Sequence, residues 1–411
     1  MGSFRSFWRS GHWPSLLGSF LYFDLSFMVW VLLSALSVFI VEDFHLSASQ
    51  KGVLVALPAL GGAVFRIVLG KLADRIGTKK TALIGLAITL LPLTCLWLFK
   101  QSLFELYLCG FLLGIAGGSF AVAIPLVSRW YPPRYQGLAL GITGSGNSGS
   151  LLATLFAPGL ALYFHDWQTV FGIAMIPIIF VFILCLLIVQ EPPRQPKKGR
   201  YFLQGSRKRI VIFSYFYSIT FGGFVGLISF LSLFLADQYS FDKTTIGYWV
   251  SFLTLAGSLA RTAGGWISDK IGGTKVLNLL FLIITFLFLS LSSLQPSPWQ
   301  IFSLWLLMLC FGLGNGAVFQ LVPSYFGSEV GSASGWIGAA GGLGGFFLPI
   351  LLGWTKDHTG TYATGFLLLA LITAGGWIAV WLLGRASAKA GISSSQSKTP
   401  LSKKDGMITN E

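Results

Sequence analysis

Two arginines, Arg66 and Arg261, lie in the middle of long apolar stretches, 195 residues apart, in nearly the same local sequence. An arginine in the hydrocarbon of a membrane costs about 3 kcal/mol on insertion scales, so residues of this kind mark candidate functional sites. A guanidinium group donates paired hydrogen bonds in one plane, which fits a small planar oxyanion. The two residues therefore predict a central site that binds a small anion.

The surroundings of the two arginines form an internal repeat. Eight residues of the first copy recur in the second at the constant offset of 195. They are Leu60, Gly62, Arg66, Gly70, Asp74, Ile76, Gly77 and Lys80, repeated as Leu255, Gly257, Arg261, Gly265, Asp269, Ile271, Gly272 and Lys275. The chain is therefore predicted to contain two copies of one membrane unit.

The composition is that of an integral membrane protein. The chain has 411 residues, of which 54% are hydrophobic and 10% charged. Apolar runs of about 20 residues, each long enough to cross the hydrocarbon of a bilayer, recur along its length. We predict an all-α protein with twelve transmembrane helices, at 16–41, 49–72, 79–98, 103–128, 136–163, 168–189, 209–236, 244–267, 274–294, 299–324, 328–353 and 362–384.

The basic residues predict the orientation in the membrane. Of the 28 Lys and Arg residues, only Lys51, Lys100, Lys243 and Lys356 fall on the side away from the termini, and only the two central arginines fall in the middle of a span. The positive-inside rule then places both termini in the cytoplasm of a cell inner-membrane protein. The net charge of +14 follows from this topology, which favours contact with anionic lipid and argues against a nucleic-acid partner. Cysteines and histidines show no metal-ligand spacing, so we expect no metal and no cofactor.

A basic, proline-containing connection divides six spans from six. We predict an N-terminal six-helix bundle at 1–190, a cytoplasmic linker at 191–208, a C-terminal six-helix bundle at 209–384 and a disordered tail at 385–411. Because each copy has an even number of helices, a pseudo-two-fold axis along the membrane normal relates the copies. This organisation resembles the major facilitator superfamily, whose substrate site lies between the halves near the midplane.

The loop after the second span, at 70–80, resembles the signature loop of that superfamily, and 265–275 is a weaker second copy. The resemblance implies a cytoplasmic latch, in which an aspartate binds a helix N-terminus and an arginine binds a carboxylate. The gating residues would be Gly70, Asp74, Arg75, Gly265 and Asp269. The alternative is a solvated tight turn, and in either case these residues would not contact substrate.

Helical rise brings further polar residues to the level of the arginines. At 1.5 Å per residue, Arg66 and Arg261 lie about 12 Å from the cytoplasmic edge, and Asp24, Asn147 and Tyr217 reach a similar depth. Two guanidinium groups against one carboxylate make this layer positive, which favours an anion. The alternative is structural: Asp24 pairs with one arginine, and the other binds backbone carbonyl groups.

Two glycine-dense spans occupy the fifth position of each half, at 141–149 and 335–349. Their signature glycines are Gly144, Gly146, Gly149, Gly338, Gly341 and Gly344. Small residues at this spacing let helices approach closely and slide, although by themselves they indicate only good packing faces. Asn147 stands among the first group, where its amide would reach a ligand without obstruction.

These features together resemble the nitrate/nitrite porter family of the major facilitator superfamily. The glycine pair is similar to its two nitrate signatures, and 23–30, 119–137, 217–222 and 315–320 resemble parts of its first, fourth, seventh and tenth helices. The resemblance implies a site for nitrate or nitrite made of Arg66, Arg261, Asn147, Tyr217, Phe27, Phe120 and Phe221. Gly338 stands where some members have a hydroxyl residue, so no side-chain donor is expected from that helix.

The resemblance also implies alternating-access transport, whose energy source the sequence leaves open. Moving an anion into a negative-inside cell costs about 2.3 kcal/mol per 100 mV, so uptake requires a coupled cation, most simply the proton. Asp24 is the only acidic residue near mid-membrane and is the candidate proton carrier. The alternatives are exchange of nitrate for nitrite and transport of another small monovalent anion. A sensor would need an output domain that the short tail lacks, an enzyme is disfavoured, and a monomer is expected.

Overall fold

The structure is a computed structural model that describes residues 2–99, 102–193, 207–294, 298–326 and 330–389. Residues 194–206 of the predicted linker (191–208) and residues 390–411 of the predicted tail (385–411) lie outside the described residues. Within these residues every regular element is a helix. The α-helices are α1 Gly2–Arg9, α2 Trp13–Ala35, α3 Ser37–Phe44, α4 Ala48–Ile76, α5 Thr78–Leu98, α6 Leu103–Gly117, α7 Phe120–Ser128, α8 Pro133–Gly144, α9 Gly149–Phe164, α10 Gln168–Ile188, α11 Arg207–Tyr217, α12 Gly223–Tyr239, α13 Lys243–Ile271, α14 Gly273–Leu291, α15 Pro298–Phe326, α16 Val330–Thr359 and α17 Ala363–Lys389.

These helices coincide with the twelve predicted spans, four of which are built from two consecutive helices. A 3₁₀ turn, Ser145–Ser148, joins α8 to α9, and a π-helical turn, Ser218–Gly222, joins α11 to α12. Ten of the described segments are long and apolar enough to cross a membrane. The other two, α8–α9 and α13, are helical over the predicted ranges but carry more glycine and polar residues. The prediction of an all-helical, multi-pass membrane protein is confirmed.

The internal repeat is visible in α4 and α13, the helices that carry the two arginines. Each helix has 29 residues, and each arginine stands ten residues before its last residue. Both helices end at a glycine with positive φ, Gly77 at 104° and Gly272 at 92°. Residues with a Cβ rarely adopt this conformation, so glycine marks the helix end. The repeated sequence therefore sets Arg66 and Arg261 at the same height within two equal helices.

Four of the six signature glycines stand where a neighbouring helix comes into contact. A Cβ at Gly146 or Gly149 would press against Phe23 or Asp24 of α2, and a Cβ at Gly341 or Gly344 against Tyr217 or Ser218. The other two differ, because nothing lies within 4 Å of a Cβ at Gly144, and at Gly338 the nearest atom is Arg66 Nη1, at 3.4 Å. Most of these glycines are thus explained by close helix contact.

The helices before and after the linker meet along two seams, α4 against α16 and α9 against α13. We call the end of the bundle that carries the start of α4 and the end of α16 the far face, and the opposite end the terminal face. At the far face, Lys51 Nζ on α4 lies 3.0 Å from Asp237 Oδ1 on α12. Asp357 on α16 accepts hydrogen bonds from the backbone N–H groups of Ala48 and Ser49, at 3.0 and 2.7 Å. These polar contacts hold the two halves together at the far face.

Three glycines on the terminal side of the arginines have open space around them. Among the described residues, nothing lies within 4 Å of a Cβ at Gly141 and Gly144 in the first half, or at Gly335 in the second. A cleft of about 210 Å³ lies at the level of the arginines, between the 3₁₀ turn with the start of α9 and the middle of α13, and is lined by Ser148 and Ser258.

Candidate functional site

The two arginines meet at one aromatic ring. Arg66 Cζ and Arg261 Cζ each lie 5.5 Å from the centroid of the Phe120 ring. Arg66 Cζ is also 5.4 Å from the centroid of the Phe221 ring, which belongs to the other half. These distances fall within the range of cation–π attraction, about 6 Å. The fold thus brings guanidinium groups of α4 and α13 to a shared centre between the halves.

Arg66 is held by backbone carbonyl groups from both halves. It is 5% exposed; its Nη1 donates to the carbonyl oxygen of Gly338 at 2.6 Å, and its Nη2 to that of Gly117 at 3.2 Å. Its Nε is buried and has no hydrogen-bond partner among the described residues. Buried polar atoms without a partner are rare and point to a functional group. Arg66 therefore retains donor capacity at the centre.

Neither guanidinium group has a carboxylate within 4 Å among the described residues. Asp24 lies at the same level on α2 and is 8% exposed. Its Oδ1 accepts a hydrogen bond of 2.7 Å from Ser148 Oγ, in the 3₁₀ turn after α8. The pairing of Asp24 with an arginine, which the sequence left open, is thus not formed. Two largely buried cations without a counter-ion favour an anion between them, because an unpaired buried charge is costly.

Tyr217, the last residue of α11, and Phe221, on the π-helical turn, form an aromatic wall. Their rings are stacked, with centroids 5.0 Å apart and an angle of 4° between the planes. The Tyr217 side chain lies near enough to Arg261 and Arg66 to interact electrostatically with both. Single π-helical turns occur frequently at functional sites, since the wider turn re-aims side chains. Here Phe221, on the turn, faces Arg66, and Tyr217, immediately before the turn, lies near both arginines.

Asn147 is buried, but its amide is occupied by its own helix. Oriented to satisfy its hydrogen bonds, the amide nitrogen donates to the carbonyl oxygens of Gly144 and Ser145, each at 3.2 Å. Such an orientation is assigned from the hydrogen-bond network. The predicted donation from Asn147 to an anion stays a prediction and requires this amide to leave those carbonyl groups.

The aromatic cluster contains rings that the sequence reasoning did not single out. Phe319 on α15 meets the Tyr217 ring edge-on at 4.9 Å and lies 6.5 Å from the Phe120 ring. Phe23 on α2 lies 5.4 Å from both Phe120 and Phe27. Phe27 is therefore one ring further from the arginines than Phe120. Phe319 falls inside the motif at 315–320, and this position in the motif could have indicated from sequence that Phe319 belongs to the site.

The gating candidates lie at the terminal face. Asp74 Oδ1 is 3.7 Å from Arg129 Nη2, at the end of α7 in the same half. Arg75 and Asp269 are exposed, and Gly70 and Gly265 have room for a Cβ without a contact closer than 3.7 Å. The pair of Asp74 with Arg129 does not by itself join the halves. A latch role for these residues stays a prediction.

An all-helical membrane bundle with a repeated unit and a buried cationic centre between its halves defines a secondary transporter. Residues 18–349 match the Major Facilitator Superfamily. A solved structure of a bacterial homologue of the human lysosomal transporter Spinster, in an inward-facing and occupied conformation, is similar with a TM-score of 0.72 and 20% identity, covering 91% of this chain and 97% of that chain. A mutant of the nucleoside transporter NupG is similar with a TM-score of 0.70 and 14% identity, covering 90% and 99%. At these identities the two structures show the fold alone.

Sequence relatives are closer. The "Nitrite extrusion protein" of Bacillus subtilis is 33% identical over 364 residues, which cover 87% of this chain and 91% of the relative. The "Probable nitrate transporter NarT" of Staphylococcus epidermidis is 34% identical over 351 residues, covering 84% and 89%. The "Probable nitrate/nitrite transporter NarK2" of Mycobacterium tuberculosis is 33% identical over 362 residues, covering 85% and 91%. The chain belongs to the major facilitator superfamily and, within it, to the nitrate/nitrite porter family, as the sequence resemblance predicted.

Proposed function

We propose that this transporter carries nitrate and nitrite through the centre that Arg66 and Arg261 define. The observation that supports the proposal most strongly is the convergence of both guanidinium groups on the Phe120 ring without a nearby carboxylate. Nitrate and nitrite are small, planar and monovalent. Paired donors in the plane of a guanidinium group match the oxygen atoms of such an anion, and the names of the relatives point to the same substrates.

We infer that transport proceeds by alternating access of the two six-helix halves, 1–190 and 209–384, acting as a monomer in the cell membrane. The excess of Lys and Arg at the terminal face supports a cytoplasmic location of both termini. With that orientation, the far-face contacts between the halves close the outer side, and the route from the arginines to the cytoplasm runs through the terminal face. The substrate would be released when Arg66 and Arg261 are reached from that side.

The proposed energy source is the proton, with Asp24 as its carrier. Ser148 Oγ, in the glycine-dense segment, donates a hydrogen bond of 2.7 Å to the Asp24 carboxylate. The backbone of Gly149 packs against the backbone of Asp24. A change in protonation at this point would act directly on the contact between α2 and α9. The second candidate function is nitrate/nitrite exchange without protons, which the name of the Bacillus relative, a nitrite extrusion protein, favours.

Counterflow in proteoliposomes tests the substrate and separates these two modes. Vesicles that contain the protein and internal nitrite should take up external labelled nitrate faster than vesicles without internal anion. Symport additionally predicts that an inward proton gradient drives nitrate accumulation without internal nitrite, whereas exchange predicts no effect of the gradient. Vesicles loaded with chloride or sulfate in place of nitrite are the control, which tests whether the protein also transports other small anions. Equal stimulation by chloride would contradict the proposed selectivity.

Replacing the candidate proton carrier should uncouple transport. In Asp24→Asn, we expect nitrate/nitrite counterflow to persist and gradient-driven nitrate accumulation to be lost, because the amide cannot carry a proton. Asp43→Asn is the matched control, since Asp43 is a carboxylate near the far face that accepts a hydrogen bond from Trp167 Nε1 at 2.6 Å. If Asp24→Asn still accumulates nitrate normally under a proton gradient, Asp24 has no coupling role, while the substrate assignment stands on counterflow alone.

A further inference from the structure

A cavity of about 730 Å³ lies in the second half of the chain, on the outer side of the helices that carry the aromatic wall. Its lining comes mainly from α11, the π-helical turn, α16 and α17, with Gly223 of α12, Phe288 of α14 and Phe311 of α15. We call it the lateral groove. Leu343 and Phe347 on α16 and Ile372 on α17 line it and are 40%, 61% and 44% exposed. In a membrane-spanning bundle, exposed apolar side chains at this depth face hydrocarbon. The groove therefore opens sideways into the bilayer.

The polar side chains of the groove wall are already satisfied within the protein. Ser218 Oγ donates to the carbonyl oxygen of Ala340 at 2.8 Å, and the Tyr215 hydroxyl donates to that of Ile372. Thr373 Oγ1 donates to the carbonyl oxygen of its neighbour one helical turn earlier, at 3.0 Å. A bound water needs about 2–4 polar partners, and apolar cavities stay dry. The groove thus selects an apolar occupant.

The groove is long enough to span one leaflet of a bilayer. Along α16 it extends from Ala340, near mid-membrane, to Trp354, five residues before the end of the helix at Thr359. At 1.5 Å per residue this distance is about 21 Å, which exceeds half of the roughly 30 Å of bilayer hydrocarbon. Trp354 is 50% exposed at the upper rim, where tryptophan commonly marks the headgroup level. The volume also lies within the range of small-molecule sites, about 300–1,000 Å³.

We propose that the lateral groove is a binding site for one acyl chain of a membrane phospholipid from the leaflet at the far face. The chain would enter between α16 and α17, with its methyl end near Leu343 and its headgroup above Trp354. This site is separate from the anion centre and goes beyond the proposed transport of nitrate and nitrite.

The position of the groove links lipid to the transport site. Ser218 and Ile219 form part of its floor, and both belong to the π-helical turn. Phe221 extends from the same turn to Arg66, and Tyr217, near both arginines, immediately precedes the turn. An acyl chain in the groove supplies dispersion contacts to the outer side of this turn. It therefore supports the turn in the geometry that presents the aromatic wall to the anion.

Photocrosslinking tests the site directly. The full chain is reconstituted in vesicles that contain a phosphatidylcholine with a diazirine in the middle of one acyl chain, and the labelled residues are mapped by mass spectrometry. We expect labelling of Leu343, Phe347 and Leu369 to exceed that of the lipid-exposed residues Ile176 and Phe180 on α10 by about tenfold, the ratio that about 1.4 kcal/mol of preference gives. Equal labelling of the two surfaces would overturn the proposal.

Two variants refine the same measurement. Leu343→Trp fills the groove and should lower labelling of Phe347 and Leu369 several-fold without changing labelling of α10. Leu371→Trp is the matched control, because Leu371 is 70% exposed on α17 but does not line the groove. Unchanged groove labelling in Leu343→Trp contradicts an occupied groove. Labelling by a small hydrophobic diazirine, without labelling by the phospholipid, would assign the groove to a small apolar molecule instead. The labelling pattern of the unaltered protein tests the lipid site even if a variant folds poorly. Nitrate/nitrite counterflow measures transport separately.

Discussion

Arg66→Lys and Arg261→Lys should each lower nitrate counterflow by about tenfold to a hundredfold, although both keep the positive charge. Lysine cannot present two parallel N–H groups in one plane, so at least one charge-assisted hydrogen bond to the anion, worth about 1.5–3 kcal/mol, is lost. Each 1.4 kcal/mol corresponds to about a factor of ten. The measurement is the initial rate of labelled nitrate uptake into nitrite-loaded vesicles, together with the nitrate concentration for half-maximal rate.

The two variants should differ in a second respect. Arg66 also donates to the carbonyl oxygens of Gly338 and Gly117, which belong to different halves. Arg66→Lys therefore removes a bond across the centre, and we expect it to lower thermal stability in detergent more than Arg261→Lys does. Arg9→Lys is the control, since Arg9 is exposed at the terminal face. Near-normal counterflow in either central variant would show that this arginine is structural and would refute the proposed clamp.

Lys51→Met should open the far face and shift the transporter toward its outward-open state by about tenfold. Lys51 and Asp237 are only 16% and 19% exposed, and their ion pair joins α4 of the first half to α12 of the second. Lys356 Nζ and the Tyr362 hydroxyl also contact Asp237, at 3.3 and 2.8 Å, but both belong to the second half. Coupling energies of about 1–3 kcal/mol are typical for such equilibria.

The matched control for this experiment is Lys356→Met. It removes a lysine from the same carboxylate but leaves the bond between the halves intact. The reporter is Ala59→Cys. Ala59 lies on α4 and faces Gly345 of α16 across the seam between the halves, and its Cβ is 3.5 Å from the position that a Cβ at Gly345 would take. The four natural cysteines are buried or half-buried and are replaced first. A membrane-impermeant maleimide added from the far side should label the reporter about tenfold faster in Lys51→Met. Equal acceleration in both variants would exclude Lys51 as the tie between the halves.

The location of the spans and the register of the arginines could be predicted from sequence because both depend on local pattern. A run of about 20 apolar residues crosses a bilayer whatever it packs against. A repeated sequence that ends at a glycine with positive φ gives α4 and α13 equal length. Arg66 and Arg261 then stand at equal height without any knowledge of their neighbours. The resemblance to the nitrate/nitrite porter family followed from motifs spread through both halves, and the relatives confirm it.

The partners of the polar residues could not be obtained in this way. The depth estimated from helical rise predicted Asp24 at the level of the arginines, but its carboxylate accepts a hydrogen bond from Ser148 instead. Packing of α2 against α9 sets the rotation of α2 about its axis and therefore the direction of this side chain. Asn147 reaches the same level, but its amide binds carbonyl groups of its own 3₁₀ turn. Counting residues along a helix gives height, while the direction of a side chain depends on how each helix is rotated against its neighbours.

By itself, the sequence determined an all-helical, duplicated membrane transporter with one arginine at the centre of each half. Only the tertiary structure decided that both guanidinium groups meet at Phe120, that Phe319 joins the aromatic cluster, and that Lys51 and Asp357 tie the halves together at the far face. The lateral groove behind the π-helical turn is likewise visible only in the tertiary structure. These contacts join residues up to 309 positions apart. Hydrophobicity and repetition act along the chain, whereas these pairings arise from the way helices of two halves cross, which no local pattern specifies.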